Sequence, residues 1–476
     1  MKALSIEKIA EAVGATDIFG PATPEVTSVV FDSRLAQPGS LFVPLQGQLD
    51  GHQFAQAAQE KGAIATFWLR DKAGLPEGLS AIIVSDTLKA LQDLAKAYLA
   101  LIQPKVVAIT GSAGKTTTKD MTAAALSAGF SVHKTGGNYN NEIGLPITVL
   151  SMPEETEVLV LEMGMSEPGE IELLSRLAEP DIAVITMIGE SHLANFGSRE
   201  KIAAAKLEIL TGLKAQGTFI YPGNEPLLRQ AVAQADFNCI SVGLEETDNI
   251  YAFDCESDQY SASFNTNLSP ATRLSIPVTG PYNVSNALNA CAVAYSLGLS
   301  VEQIAEPLSH FEMTSNRLAW VTGPHGSMIL DDTYNANPQA MAAVLRHFTS
   351  LPRAGEDHEG RKLYVLGDML ELGEASWDRH AALSNDIDLA PEDQVLLFGE
   401  EMAALDQALA ADPKIQPGQV HYFKTRESLA LKQWLLANID TTDQVLVKGS
   451  HGMNLLDLVH ALAEAGEEDT ETETTE

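Results

Sequence analysis

The residues best equipped for chemistry form the run TGSAGKTTT, Thr110 to Thr118. Gly111 and Gly114 let the backbone wrap a triphosphate, with Thr110, Ser112 and Ala113 completing the loop. Lys115 supplies a compact positive charge. Thr116 or Thr117 offers a hydroxyl to magnesium at a helix N-terminus, where backbone N–H groups and the helix dipole favour anions. The common phosphate-loop spacing has another glycine five positions before Gly114; Ile109 stands there, so a shorter loop is implied. The same residues could instead make a glycine turn opening a buried helix, with Lys115 merely solvated. The β-branched run VVAIT before the loop and the helical pattern after it, Thr116 to Ala128, favour the phosphate site.

A second group could hold a metal. Glu162 ends the apolar run VLVL next to Gly164, which puts a carboxylate at a strand end near the loop, and magnesium prefers such hard oxygen ligands. Downstream, His192 in GESHLANFGS and Lys206 in AAAKLEIL are placed to face the same cleft. Taken alone, His192 reads as a hydrogen-bonded loop residue and Lys206 as a solvated helix lysine. Only the combined pattern gives either a role.

These groups need a scaffold. Residues 1–103 mix short apolar runs with helical stretches such as Thr87 to Ile102, which reads as a small α/β domain. From 104 to 316, strand candidates at Val158 and Ile182 alternate with helical patterns through Leu210 and from Asn283 to Leu297, predicting a central, mostly parallel, helix-covered sheet. From 317 to 466, four runs (SMILDD, KLYVLGD, QVLLFGE and DQVLVKGS) predict a doubly wound third domain. Such sheets bind ligands at the C-terminal ends of their strands, where Asp332, Asp368, Gly399 and Lys448 fall. The acidic stretch 467–476, without an apolar side chain, is expected to be a disordered tail.

Composition narrows the function. Of 476 residues, 45% are hydrophobic and 20% charged, as in an ordinary soluble protein, and no apolar run approaches the length of a membrane span. Thirty basic against 64 acidic side chains give a net charge of -34, which opposes non-specific attachment to nucleic acid or anionic lipid. Glu7, Lys8 and Glu11 stand where a secretory signal needs an apolar core, so a cytoplasmic protein with an N-terminal amphipathic helix is expected. Cys239, Cys255 and Cys291, odd in number and widely spaced, read as ordinary thiols.

Taken together, TGSAGKTTT, TGGNYNNEIGLP, EMGMSEPGEI, SHLANFGS, AAAKLEIL, GPYNVSNALNA, NRLAW, DDTYNANP, LGDMLELG and KGSHGM resemble the Mur ligase family, in its order and across nearly the whole chain. DDTYNANP, GDMLELG and FDSRLAQPGSLFVPLQG most resemble the members that join D-alanyl-D-alanine to UDP-N-acetylmuramoyl tripeptide. The resemblance implies an N-terminal UDP-sugar domain, a central ATPase and a Rossmann-like C-terminal domain. It implies ATP as co-substrate, Mg2+ held by Thr116, Glu162, His192 and a carbamylated Lys206, and a monomer acting through an acyl phosphate.

By the same resemblance Asn283 and Asn286 help to hold the nucleotide, Arg317 reaches the phosphates and Asp332 binds ribose. Ser33 and Arg34 match the uridine-diphosphate site, Asn138 and Asn141 a loop near the muramoyl peptide, and Asp368, Lys448 and Ser450 the dipeptide side. Where the family has Lys-Gly-Ser-Arg, this chain has Lys448, Gly449, Ser450 and His451, a titratable ring in place of a permanent charge. Competing readings are a ligase of the same group with a different amine, a nucleotide-driven switch or motor, and a sugar-nucleotide binding protein with a decayed ATPase.

Overall fold

A computed structural model describes residues 1–233, 237–314, 317–355 and 360–473, with side chains to Glu467. Ser5 accepts a hydrogen bond from the Lys8 amide and so caps the helix Ile6–Ala12, which buries Ile6, Ile9 and Ala10. A five-stranded sheet follows, ordered Asp17–Phe19, Ser80–Val84, Ala63–Leu69, Ser40–Phe42 and Ser28–Val30. Only the first pairing is antiparallel. The helix Thr87–Ile102, capped by Asp86, ends at Gln103 in the left-handed conformation (φ 57°). The chain then turns at Pro104 into the next sheet.

That sheet has nine strands, in the order Ser269–Ile276, Ala262–Thr266, Ile250–Ser257, Asn238–Gly243, Thr218–Pro222, Ile182–Ile185, Lys105–Thr110, Val158–Glu162 and Val132–Lys134. Lys105–Thr110 lies between Val158–Glu162 and Ile182–Ile185, parallel to both. From this strand the chain runs to the edge strand Val132–Lys134, returns to Val158–Glu162 beside it, then crosses to build outward on the other side. A crevice therefore opens at the C-terminal end of Lys105–Thr110, the topological switch point of the sheet. At the other edge Ala262–Thr266 pairs antiparallel with both Ile250–Ser257 and Ser269–Ile276, an extension that the sequence pattern did not suggest. They are half-exposed and short of continuous apolar residues, so they read locally as loop.

The third sheet runs Ala319–Thr322, Met328–Asp332, Gln444–Lys448, Lys362–Gly367, Gln394–Phe398 and Val420–Phe423. After the antiparallel first pair all strands are parallel. The last strand in sequence is inserted beside the second, and this sets Lys448 directly opposite Asp332. The boundary expected at 316 falls on a residue outside those described. The tail expected to be disordered is helical as far as it is described, because Leu455–Glu473 runs on through it. Glutamate is a good helix former, and extending an existing helix costs far less than starting one. Thr474, Thr475 and Glu476 lie outside the described residues. No described helix is long and apolar enough to cross a membrane.

Candidate functional site

At the switch point the strand Lys105–Thr110 passes through a glycine loop into the helix Lys115–Leu126. Gly111 (φ 153°) and Gly114 (φ 78°) hold conformations unfavourable to other residues, and an added Cβ would lie 1.9 Å from Thr186 Oγ1 and 2.4 Å from Asn286 Oδ1 respectively. The loop is braced from outside. The Ser112 amide donates to the Met187 carbonyl (3.0 Å), the Gly189 amide to Ser112 Oγ (2.8 Å) and Ser191 Oγ to the Ser112 carbonyl (2.9 Å).

Gly111, Ser112, Ala113, Gly114, Lys115, Thr116 and Thr117 all line a cavity of about 810 Å3. Thr110 does not line it; its hydroxyl is buried and donates to the Met163 carbonyl (2.8 Å). Lys115 Nζ folds back onto the Gly111 carbonyl (2.8 Å). Burial pushes this ammonium below the usual lysine value, opposed by Glu162 and reinforced by Arg317.

The carboxylate of Glu162, on a residue only 2% exposed, accepts from Thr116 Oγ1 (2.8 Å) and Asn140 Nδ2 (2.9 Å). Lys206, also 2% exposed, lies on the helix Arg199–Leu207 and has no hydrogen-bond or ion-pair partner among the described residues. Burial and the charge of Lys115 push its amine well below the ordinary value. His192 lines the same cavity in the left-handed conformation (φ 60°), with Nδ1 facing the Glu371 carboxylate of the third domain. Burial holds this imidazole below its usual value, with Glu371 opposing and Lys115 and Lys206 adding to the shift.

Among the described residues no three His, Cys, Asp or Glu side chains gather as a metal cluster. The Thr116 hydroxyl and Glu162 carboxylate are the hard oxygens magnesium takes, and few protein ligands suffice because it keeps several waters. Lys206 fits that donor set only if its amine is converted to an acid.

The third domain closes the cavity. Arg317 lines it with its guanidinium carbon 3.7 Å from the centre of the Tyr334 ring, and its Nε is buried without a partner among the described residues. Asp332 and Lys448 line it as an ion pair (2.6 Å), and Lys448 also donates to the Asn335 carbonyl (2.9 Å). Asn283 and Asn286 line it too, but are occupied internally: Asn286 Nδ2 donates to Asn283 Oδ1 (2.9 Å), and Thr118 Oγ1 to Asn286 Oδ1 (3.2 Å). They lock the helix Pro281–Ser296 against the loop helix.

Other expected residues lie elsewhere. Asp368 is outside the cavity wall, where its carboxylate accepts from the Met402 amide (2.9 Å) ahead of the helix Ala403–Ala410. Ser450 is also outside, accepting from the Leu370 amide (2.9 Å). Both follow strand ends, but their side chains turn into backbone amides rather than the crevice. His451, exposed, lies 6.4 Å from the Tyr334 ring. Of the loop 138–141, Asn141 lines the cavity and caps the helix Gly144–Ser151 (2.9 Å to the Gly144 amide), whereas Asn138 does not line it. Asn140 is the member bound to Glu162.

Ser33 and Arg34 sit in a turn of the first domain away from the cavity wall, with Arg34 held by Asp32 (2.7 Å). Phe31, two residues before Ser33, meets Tyr139 of the asparagine loop edge to face (6.2 Å). Asn140, Tyr282 and Tyr334 were missed as individual site residues. All three stand inside motifs already singled out, and that adjacency was the available signal.

A strand, glycine loop and helix at a switch point, roofed by a second doubly wound sheet that contributes an arginine and an ion pair, define a nucleotide-binding α/β protein with its reaction cavity at a domain junction. The Mur ligase middle domain matches residues 109–294, and the Mur ligase glutamate ligase domain residues 316–451. The chain belongs to the Mur ligase family. It is 41% identical over 97% of its length, and 98% of the relative's, to the UDP-N-acetylmuramoyl-tripeptide–D-alanyl-D-alanine ligase of Bacillus subtilis. To the ligase of the same name from Escherichia coli it is 32% identical, covering 92% and 94% of the two chains. A crystal structure of MurF from Acinetobacter baumannii superposes with a TM-score of 0.85 at 28% identity, over 98% of this chain and 99% of that one. The MurF ligase of Thermotoga maritima in complex with ADP gives 0.77 at 28% identity, over 93% and 99%.

Proposed function

We propose that this chain is an ATP-dependent amide ligase that adds D-alanyl-D-alanine to UDP-N-acetylmuramoyl tripeptide, giving UDP-N-acetylmuramoyl pentapeptide, a cell-wall precursor. The observation that carries the reading is the single cavity shared by the glycine loop, Glu162, Lys206, Arg317 and the Asp332–Lys448 pair. The names of full-length relatives supply the substrates.

The terminal carboxylate of the tripeptide attacks the γ-phosphorus of ATP in line; the bond to the β–γ bridging oxygen breaks, and ADP leaves. Lys115 and the loop amides hold the phosphates, and Arg317, brought in by the third domain, balances the charge that grows on the transferred group. The amine of D-alanyl-D-alanine then adds to the acyl phosphate carbonyl, loses a proton, and the tetrahedral species collapses to amide and phosphate. Closure of the third domain keeps water from the acyl phosphate.

Mg2+, held by Thr116 and Glu162 with Lys206 as a carbamate and His192 at its edge, would supply charge compensation and a template. A buried amine without a counter-charge suits that modification, in which the unprotonated nitrogen adds to carbon dioxide and releases a proton. We read the chain as a cytoplasmic monomer, because it would use ATP and a nucleotide-linked sugar and one chain contains the whole cavity. Tripeptide carrying 18O in its terminal carboxylate tests the route. One label should pass to the released phosphate, and phosphate without label would rule out the acyl phosphate.

A further inference from the structure

Tyr282 lies in the cavity wall beside the proposed nucleotide site without an assigned role. It stands at the start of the helix Pro281–Ser296 of the central domain, while its ring packs on the core of the third domain and meets the edge of His347 at 6.5 Å. Its hydroxyl is buried and has no hydrogen-bond partner among the described residues. Its neighbours in the wall differ: Asn283 and Asn286 are bound to one another, and Asp332 is bound to Lys448. A buried phenol left unpaired is unfavourable, and its residue lines the cavity from which an acceptor can come. Burial and the Asp332 carboxylate push the phenol well above its usual value, which favours the neutral, donating form.

We infer that the Tyr282 hydroxyl is a nucleotide-binding group that donates a hydrogen bond to a ribose hydroxyl oxygen of the bound nucleotide. The geometry favours ribose over phosphate. The loop amides, Lys115 and Arg317 offer donors suited to phosphates, whereas Tyr282 shares the cavity wall with Asp332, a carboxylate that can only accept. A ribose hydroxyl both donates and accepts, so Asp332 and Tyr282 together match the sugar. This inference rests on the reading of the cavity as a nucleotide site.

Calorimetric titration of the full-length protein with ADP, 2′-deoxy-ADP and 3′-deoxy-ADP tests it, comparing wild type with Tyr282→Phe, which keeps the ring and its packing. Loss of one neutral hydrogen bond should weaken ADP about five- to tenfold. The factor should shrink to near one for the deoxynucleotide that lacks the contacted hydroxyl. An unchanged Kd for ADP, or the same loss for all three nucleotides, overturns the assignment even when wild type binds ADP normally. Failure of wild type to bind ADP at all would instead remove the nucleotide-site reading, and this inference with it. The melting temperature of Tyr282→Phe with no nucleotide should equal or exceed wild type; a marked drop would show that the hydroxyl serves the fold.

Discussion

An amine buried beside another cation, with no carboxylate against it, is unfavourable to the fold, and Lys206 stands in that position next to Lys115. We expect Lys206→Met to cut kcat at least about a hundredfold while leaving the melting temperature equal or higher, measured by steady-state assay and calorimetry. A parallel loss of both would make Lys206 a structural residue. Glu162, by contrast, was legible from residue type and position, because a carboxylate closing an apolar run beside a glycine marks a strand end. Lys206 was not: a lysine on a helix looks solvated until its neighbours in space are known. For Asp368 and Ser450 the strand-end rule was right about place but blind to direction, since both side chains satisfy backbone amides instead.

Between residues and the whole lie the elements that aim them. The helix Pro338–Ser350 ends against Lys362, whose Nζ donates to the carbonyls of Phe348 (2.8 Å), Thr349 (2.8 Å) and Leu351 (2.6 Å). Lys362→Met should destabilise the protein by roughly 2–4 kcal/mol in denaturant melts, because buried carbonyls lose a charged donor. On the same helix His347 meets Thr279 Oγ1 of the central domain (2.7 Å). Burial, with a smaller push from Lys362, takes its pKa down from 6.5 to about 4. The unfolded chain then binds this proton first on acidification, so stability is full above pH 6.5 and falls as the pH drops toward 4. The contribution is on the order of 3 kcal/mol. A His347→Gln variant should lose that part of the pH dependence, and an unchanged slope would refute the assignment. The strands feeding the cavity were readable as apolar runs ending in Gly, Asp or Lys. Their order was not, because periodicity does not say that the last strand, Gln444–Lys448, inserts beside Met328–Asp332.

Across the whole molecule, the central and third domains also meet near the cavity through half-exposed polar pairs. Arg379 pairs with Glu190 (2.7 Å), Asn337 Nδ2 donates to Ser191 Oγ (3.1 Å), and Glu371 faces His192. Such half-exposed pairs contribute about 1 kcal/mol or less, enough to bias closure without fixing it. Arg379→Ala should therefore raise the KM for ATP about threefold to fivefold with almost no change in melting temperature; an unaltered KM would place the pair outside the closing contacts. The three-domain plan could be read from the sequence as three series of strands and helices, whereas the contacts that close them depend on residues far apart in the chain. The most direct test is phosphate release from ATP by purified protein with UDP-N-acetylmuramoyl tripeptide, with and without D-alanyl-D-alanine, and with the nucleotide product weighed by mass spectrometry. Release that requires both substrates, with the product heavier by one dipeptide residue, is the expected result. Hydrolysis of ATP regardless of substrate, or dependence on a different amine, would contradict the proposed reaction.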